Sequence, residues 1–183
     1  EKQKLPDRLA DALTVVLHKQ GRDPPDVRSY RPLSLLNTPY KTLGKILANR
    51  LKHQIGSLVH TDQNGFIPSR NTFLNTKRLL AIINGLAADT PGAVAISLDI
   101  EKAFDTLGWE YLQAVMAAMQ FGPNYIRWIT TIYSHPRAQV KTGKYILESF
   151  TIHRGTRQGY PLSPMIFALA MEPLACSLRG HME

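Results

Sequence analysis

The run from Val94 to Asp105, Val-Ala-Ile-Ser-Leu-Asp-Ile-Glu-Lys-Ala-Phe-Asp, constrains this chain more than any other stretch. Side chains alternate across an extended strand, so Val94, Ile96 and Leu98 share one face while Ala95, Ser97 and Asp99 share the other. The strand this predicts is apolar on one side, small on the second, and ends in a carboxylate. Small residues let a large partner approach. A carboxylate where a strand turns into the next element is well placed to hold a metal ion, with Phe104 five residues on to close over whatever the metal holds. A lone aspartate at a strand end is also a common helix cap or turn former, and the stretch alone leaves both readings open.

With 183 residues, 44% of them hydrophobic and 20% charged, the chain can bury a core of one domain or slightly more. Lys plus Arg number 22 against 14 Asp plus Glu, a formal net charge of +8 that favours a polyanionic partner, nucleic acid first. The single cysteine, Cys176, excludes an intrachain disulfide framework and a Cys-rich zinc site, predicts no disulfide-linked partner, and fits a reducing, intracellular compartment. No window approaches eighteen consecutive apolar residues, so no membrane span is expected, and the first residues do not read as a secretory signal. The chain begins without Met and ends in His-Met-Glu, which reads as a piece of something longer. Neither internal repeats nor low-complexity tracts interrupt it.

Ala12 to His18 is β-branched enough for a strand and runs into Lys-Gln-Gly-Arg-Asp-Pro-Pro, a turn with two cations. Pro32 forces Arg31 into extended backbone, which fixes where its guanidinium leaves the chain. Thr38-Pro39 opens a helix predicted to reach about Val59, with Tyr40, Leu43, Leu47, Leu51, Ile55 and Leu58 as its apolar stripe and Lys41, Lys45 and Lys52 on another face. A second helix is expected over Asn75 to Leu86, its apolar stripe of Leu79, Ile82, Ile83 and Leu86 backing a sheet, followed by a Thr-Pro-Gly turn at 90–92. Helices are also predicted around Leu112–Met119, ended by Gly122-Pro123, and from Pro123 to Tyr133. Gln139–Lys141 and Tyr145–Ile152 read as a hairpin. Ser163-Pro164 caps a last helix from Met165 to about Leu178, with a kink or early stop expected at Pro173.

Several blocks, in order, resemble the core motifs of reverse transcriptases of the LINE type, the non-LTR retrotransposons. They are Arg31-Pro-Leu-Ser-Leu, Leu43-Gly-Lys-Ile-Leu-Ala-Asn-Arg-Leu, Gln63-Asn-Gly-Phe-Ile-Pro-Ser-Arg70, the Asp99 stretch, and Arg154-Gly-Thr-Arg-Gln-Gly-Tyr-Pro-Leu-Ser-Pro. The resemblance implies that Asp99 and the Ile100 carbonyl bind the metal, and that Phe104 is a gate beside the incoming sugar. It also implies that Gln158 and Gly159 receive the nucleotide, Arg31 meets its phosphates, and Lys41, Arg50, Arg70 and Arg157 contact nucleic acid. Asp105 is implied to be structural. Two departures stand out: His18 and Gln20 replace both prolines of the family's first basic loop, and Tyr160 replaces the usual Cys.

The fold class expected is α+β, a right-hand polymerase with fingers over residues 1–90 and an incomplete palm over 91–183, an antiparallel sheet with packed helices. The function implied is RNA-directed DNA polymerisation on an RNA template and a DNA primer from deoxynucleoside triphosphates, using two Mg²⁺ or Mn²⁺ ions. The family's further aspartates lie in an aromatic-Ala-Asp-Asp hairpin that these residues do not contain, so the chain is expected to be inactive alone. The implied location is the cytoplasm and nucleus, as a ribonucleoprotein. The alternative is a retroelement remnant that only binds nucleic acid; a domain without nucleic acid would explain the charge but not the ordered motifs.

Overall fold

The β-branched run Ala12–His18 forms strand β1, and the segment held extended by Pro32 forms β2 (Tyr30–Leu36), antiparallel to it with Ala12 opposite Leu36 and His18 opposite Tyr30. This computed structural model describes residues 4–89, 94 and 96–180. The hairpin tip is closed by backbone, Lys19 N–H donating to the Ser29 carbonyl at 2.7 Å. His18 is accommodated by packing its ring edge-on against Tyr30, centroids 5.2 Å apart.

Strand β3 (Arg137–Thr142) adds to the other side of β1, with Ala12 opposite Ala138, and β4 (Tyr145–Ile146) and β5 (Phe150–Thr151) both pair antiparallel with β3. The sheet is therefore mixed and not the antiparallel one expected: β1 and β3 run parallel, as strands can when a long helical connection lies between them. Ala12, Leu36 and Ala138 stand side by side on the face that joins the core.

Helices α1 (Thr38–Lys52), α5 (Trp109–Ala118), α6 (Pro123–Ile132) and α7 (Ser163–Gly180) supply most of that core, through Tyr40, Leu47, Leu51, Leu112, Met116, Ile129, Ile132, Ile166 and Leu169. Helix α1 ends sooner than its stripe predicts; after a turn closed by Gln54 N–H to the Leu51 carbonyl, a separate α2 (Ile55–Leu58) buries Ile55. Tyrosine hydroxyls tie the layer together: Tyr40 donates to Ile132 O, Tyr125 to Leu47 O and Tyr111 to Ala170 O. The helix α7 runs on through Pro173, where an early stop is one expectation from sequence. Proline removes the donor that would have reached Leu169 O; the neighbouring carbonyl, Ala170 O, accepts from the Tyr111 hydroxyl at 2.8 Å.

Two further expectations are corrected. Among the described residues the strand predicted over Val94–Asp99 is not formed: residues 96–100 are irregular chain, with Val94 and Leu98 exposed by 81% and 82%. Alternation specifies which side chains share a face, but a strand persists only when neighbours satisfy its backbone groups, and no sheet strand among the described residues pairs with it. The helix α3 (Phe73–Asp89) forms as predicted, yet Leu79, Ile82 and Ile83 are exposed, so it does not back a sheet here. The Thr90–Gly92 turn and Ala95 lie outside the described residues.

Tyr160 is not a loose replacement. Its ring is buried, stacks on Tyr40 with centroids 4.7 Å apart, and lies over Gly44 so closely that a Cβ there would meet its Cζ at 2.4 Å. Gly44 and Tyr160 are therefore a complementary pair. Gly44→Ala is expected to destabilise the chain by about 1–3 kcal/mol through overpacking. In a Tyr160→Cys background the same change is expected to stabilise it by up to about 1 kcal/mol, from helix propensity alone. Urea unfolding of the single and double variants reads both signs.

Candidate functional site

The residues singled out around Phe104 and around Gln158 are brought together by a backbone junction. Gly155 N–H donates to Leu107 O at 2.7 Å and Thr156 N–H to Phe104 O at 2.6 Å, while the indole Nε1–H of Trp109 donates to Gly155 O at 2.8 Å. Gly155 has φ +91°, and a Cβ at that position would lie 2.8 Å from the Asp105 carbonyl oxygen, so only glycine allows the two turns to touch. The Phe104 turn, α4 (Ala103–Thr106), is itself entered through Lys102 in the left-handed region, φ 51°.

Beside the junction is a cavity of about 250 Å³ whose lining includes Thr14 of β1, Pro32 and Ser34 of β2, Asp105, Arg154 and Gln158. Gly159, φ +94°, backs onto the Ser34 carbonyl, 3.4 Å from where its Cβ would be, so this glycine serves the approach of loop to strand. Asp105 keeps contact with solvent; partial desolvation nevertheless pushes its carboxyl above the ordinary value, with Lys102 pulling the other way.

An aromatic row borders the Phe104 turn. Phe104 packs against Phe167 of α7, centroids 5.0 Å apart, and meets Phe66 edge-on at 6.1 Å and 72°. Phe66 has φ +63° and is 60% exposed. For a bulky side chain this backbone costs on the order of 1–3 kcal/mol and persists only where its surroundings impose it. Arg70 provides that imposition: its two terminal nitrogens donate to the carbonyls of Gly56, Val59, His60 and Gln63. Buried Asn64 donates to Asn75 Oδ1 at 2.6 Å, and the Gln63 amide donates to Glu172 on α7.

A family model described as reverse transcriptase (RNA-dependent DNA polymerase) matches residues 17–183. The chain belongs to the reverse transcriptase family. Among similar proteins, the transposon TX1 uncharacterized 149 kDa protein of Xenopus laevis is 34% identical over 182 residues, 100% of this chain and 14% of that protein. A retrovirus-related Pol polyprotein from type-1 retrotransposable element R2 of Nasonia vitripennis is 31% identical over 171 residues, 91% of this chain and 16% of its own length. The RNA-directed DNA polymerase from mobile element jockey of Drosophila melanogaster is 26% identical over 166 residues, 90% and 18% respectively. The chain thus spans 14–18% of the length of these three relatives.

The reverse transcriptase residues expected from sequence are distributed unevenly. Gln158 and Asp105 share the cavity, and Phe104 is joined to it through Thr156. Arg31 is exposed on β2 outside that lining. Lys41 and Arg50 are both exposed on α1, but nine residues at 3.6 per turn set them about half a turn apart, so they do not share a face; Lys41, Lys45 and Lys52 do. Arg70 and Arg157 are both engaged within the fold. The guanidinium of Arg70 is taken up by four carbonyls. Arg157 is only 6% exposed, lies 5.7 Å from the centre of the Tyr40 ring and donates to Arg137 O, a setting that suits a weakly hydrated, stacking guanidinium.

Asp99 and Ile100 are exposed in irregular chain, and among the described residues no three His, Cys, Asp or Glu side chains converge to hold a metal ion. Asp99 and the Ile100 carbonyl therefore do not amount to a divalent-ion site by themselves. Sequence reasoning missed Thr14, which lies in no motif, Ser34, which lies inside the Arg31-Pro-Leu-Ser-Leu block without being singled out, and the partnership of Phe66 with Phe104. The Gly65-Phe66 pair was the available signal for the latter.

Under this loop, burial raises the hydroxyl pKa of Tyr40 to about 12, and raises those of Tyr125, Tyr133 and Tyr160 as well. The unfolded chain releases these protons near pH 10 while the folded chain keeps them, so their contribution to stability is complete below about pH 10 and falls as pH climbs towards 12. Unfolding by urea at successive pH values is expected to show this decline, and Tyr160→Phe is expected to make it shallower.

Proposed function

We propose that this chain is the nucleotide-selecting front of an RNA-directed DNA polymerase of a LINE-type retroelement, with fingers in residues 1–90 and part of the palm in 91–183. The observation that carries the reading is the Gly155–Thr156 junction. It joins the turn bearing Phe104 and Asp105 to the Gln158–Gly159 loop at one cavity. In this reading Phe104 is the gate that refuses a 2′-hydroxyl and Gln158, an uncharged amide, hydrogen-bonds the sugar or base. Arg31 faces the phosphates of the deoxynucleoside triphosphate. The Lys41, Lys45 and Lys52 face of α1 lies against the backbone of RNA template or DNA primer.

Asp99 would be one ligand of Mg²⁺ or Mn²⁺. The transfer step needs carboxylates bridging two ions about 3.5–4 Å apart, which the described residues do not assemble. What these residues account for is selection and positioning of the nucleotide. The location this reading implies is the cytoplasm and nucleus, in a ribonucleoprotein. No described helix is long and apolar enough to cross a membrane.

In the full-length protein, Asp99→Asn is expected to abolish extension of a DNA primer on an RNA template; retained extension would remove Asp99 from the reaction and sink the assignment. A second reading, nucleic-acid binding without catalysis, draws support from the net charge of +8 and the lysine face of α1. Under either reading, affinity for single-stranded RNA is expected to fall by roughly 0.7 log units per phosphate contact for each log unit of salt. A flat salt titration would reduce the lysines to solvated surface. Primer extension separates the two readings.

A further inference from the structure

Phe66 adopts a conformation that its neighbour could adopt without strain. The left-handed step of this loop is taken at Phe66, φ +63°, although Gly65 precedes it and has nothing within 4 Å of where a Cβ would be. If the loop needed only to turn, the step at Gly65 would do it. Placing it at Phe66 instead aims an aromatic ring, still 60% exposed, at the edge of Phe104. The aim is fixed from behind. Arg70 gathers four carbonyls of residues 56–63, Asn64 and Asn75 lock side chain to side chain, and Gln63 is bound to Glu172 of α7.

We propose that Phe66 is a specificity-determining positioning residue, its ring buttressing Phe104 and so limiting how far Phe104 can retreat from a nucleotide sugar. The inference rests on the reading of Phe104 as the sugar gate. Phe104 is held by two rings, Phe167 from helix α7 and Phe66 from the surface loop. Phe167 is half-buried and comes with helix α7. Phe66 is supplied by a strained loop at the solvent boundary, where a ring has little core to serve, and the contact it makes with Phe104 is the edge-to-face geometry aromatic pairs favour. A gate backed on one side only would yield to a 2′-hydroxyl more readily.

The test is single-nucleotide incorporation by the full-length protein on a primed RNA template, comparing kcat/KM for a deoxynucleotide with that for the matching ribonucleotide. Phe104→Val is expected to relax the preference. Phe66→Ala is expected to relax it by roughly three- to tenfold, the scale of one edge-to-face contact, and Phe66→Tyr to retain it. Phe66→Gly separates the role from mere structure: glycine suits φ +63°, so this variant is expected to unfold at higher urea than the native protein and still to lose selectivity. If Phe104→Val relaxes the preference while both Phe66→Ala and Phe66→Gly leave it intact, the buttress is overturned and the gate stands. Equal loss of kcat/KM for both nucleotides in the Phe66 variants also overturns it, pointing instead to stacking on a template base. If Phe104→Val leaves the preference unchanged, the gate reading itself fails and the inference with it.

Discussion

Gly155 and Thr156 each give a backbone N–H to a carbonyl of the Phe104–Leu107 turn, and on those two bonds the arrangement of the site depends. Without them the chain would have a hairpin ending at Thr151 and a turn around Phe104, but no reason for the two to meet. The junction is tight because Gly155 has no Cβ to push Asp105 away, and it is protected because the Trp109 indole caps the Gly155 carbonyl from the start of α5. Trp109 in turn stacks on Tyr133, centroids 5.4 Å apart, which links the junction to the helix layer. A position of the site is thereby referred to the core rather than to loops.

The floor of the site is built differently, from polar groups taken into the interior. Arg157 enters the core beneath Gln158 with its guanidinium against Tyr40, and desolvation lowers its pKa although the surrounding phenols oppose the shift. Tyr160 follows from the same loop, over Gly44 and onto the same Tyr40 ring. The Ser163 hydroxyl donates to the Arg157 carbonyl at 2.9 Å, so the start of α7 holds the loop as well. Arg157 is held there by its Nη2 bond to Arg137 O and by the Tyr40 ring, while its Nη1 is buried without a hydrogen-bond partner among the described residues. The Gln158–Gly159 loop consequently has a fixed base even though its tip meets solvent.

Much of the local structure was legible in the sequence. β-branched residues marked β1, Thr38-Pro39 marked the start of α1, Gly122-Pro123 separated α5 from α6, and Ser163-Pro164 opened α7. Each of these signals acts within a few residues, through backbone preference. The errors arose where a neighbour decides. A run alternating as Val94–Asp99 does can be a strand only beside another strand, and the stripe on α3 can be core only beneath another layer. Pairing β1 with β3 in parallel, and placing β2 at the edge, are likewise decisions no local pattern expresses.

The ordered motif blocks determined family membership by themselves, since they persist as words in the chain whatever the packing, and they identified Phe104 and Gln158 as residues to watch. Tertiary structure decided what the flanking cations and rings do. The family resemblance implied that Arg70 and Arg157 contact nucleic acid, but one is turned into a clamp for a loop and the other is buried against Tyr40. Phe66 read only as part of a turn, and its meeting with Phe104 spans the whole of α3 in sequence. The division has one physical reason. Propensity and periodicity are properties of adjacent residues, whereas hydrogen-bond partners, burial and ring contacts belong to residues that only the folded chain makes adjacent.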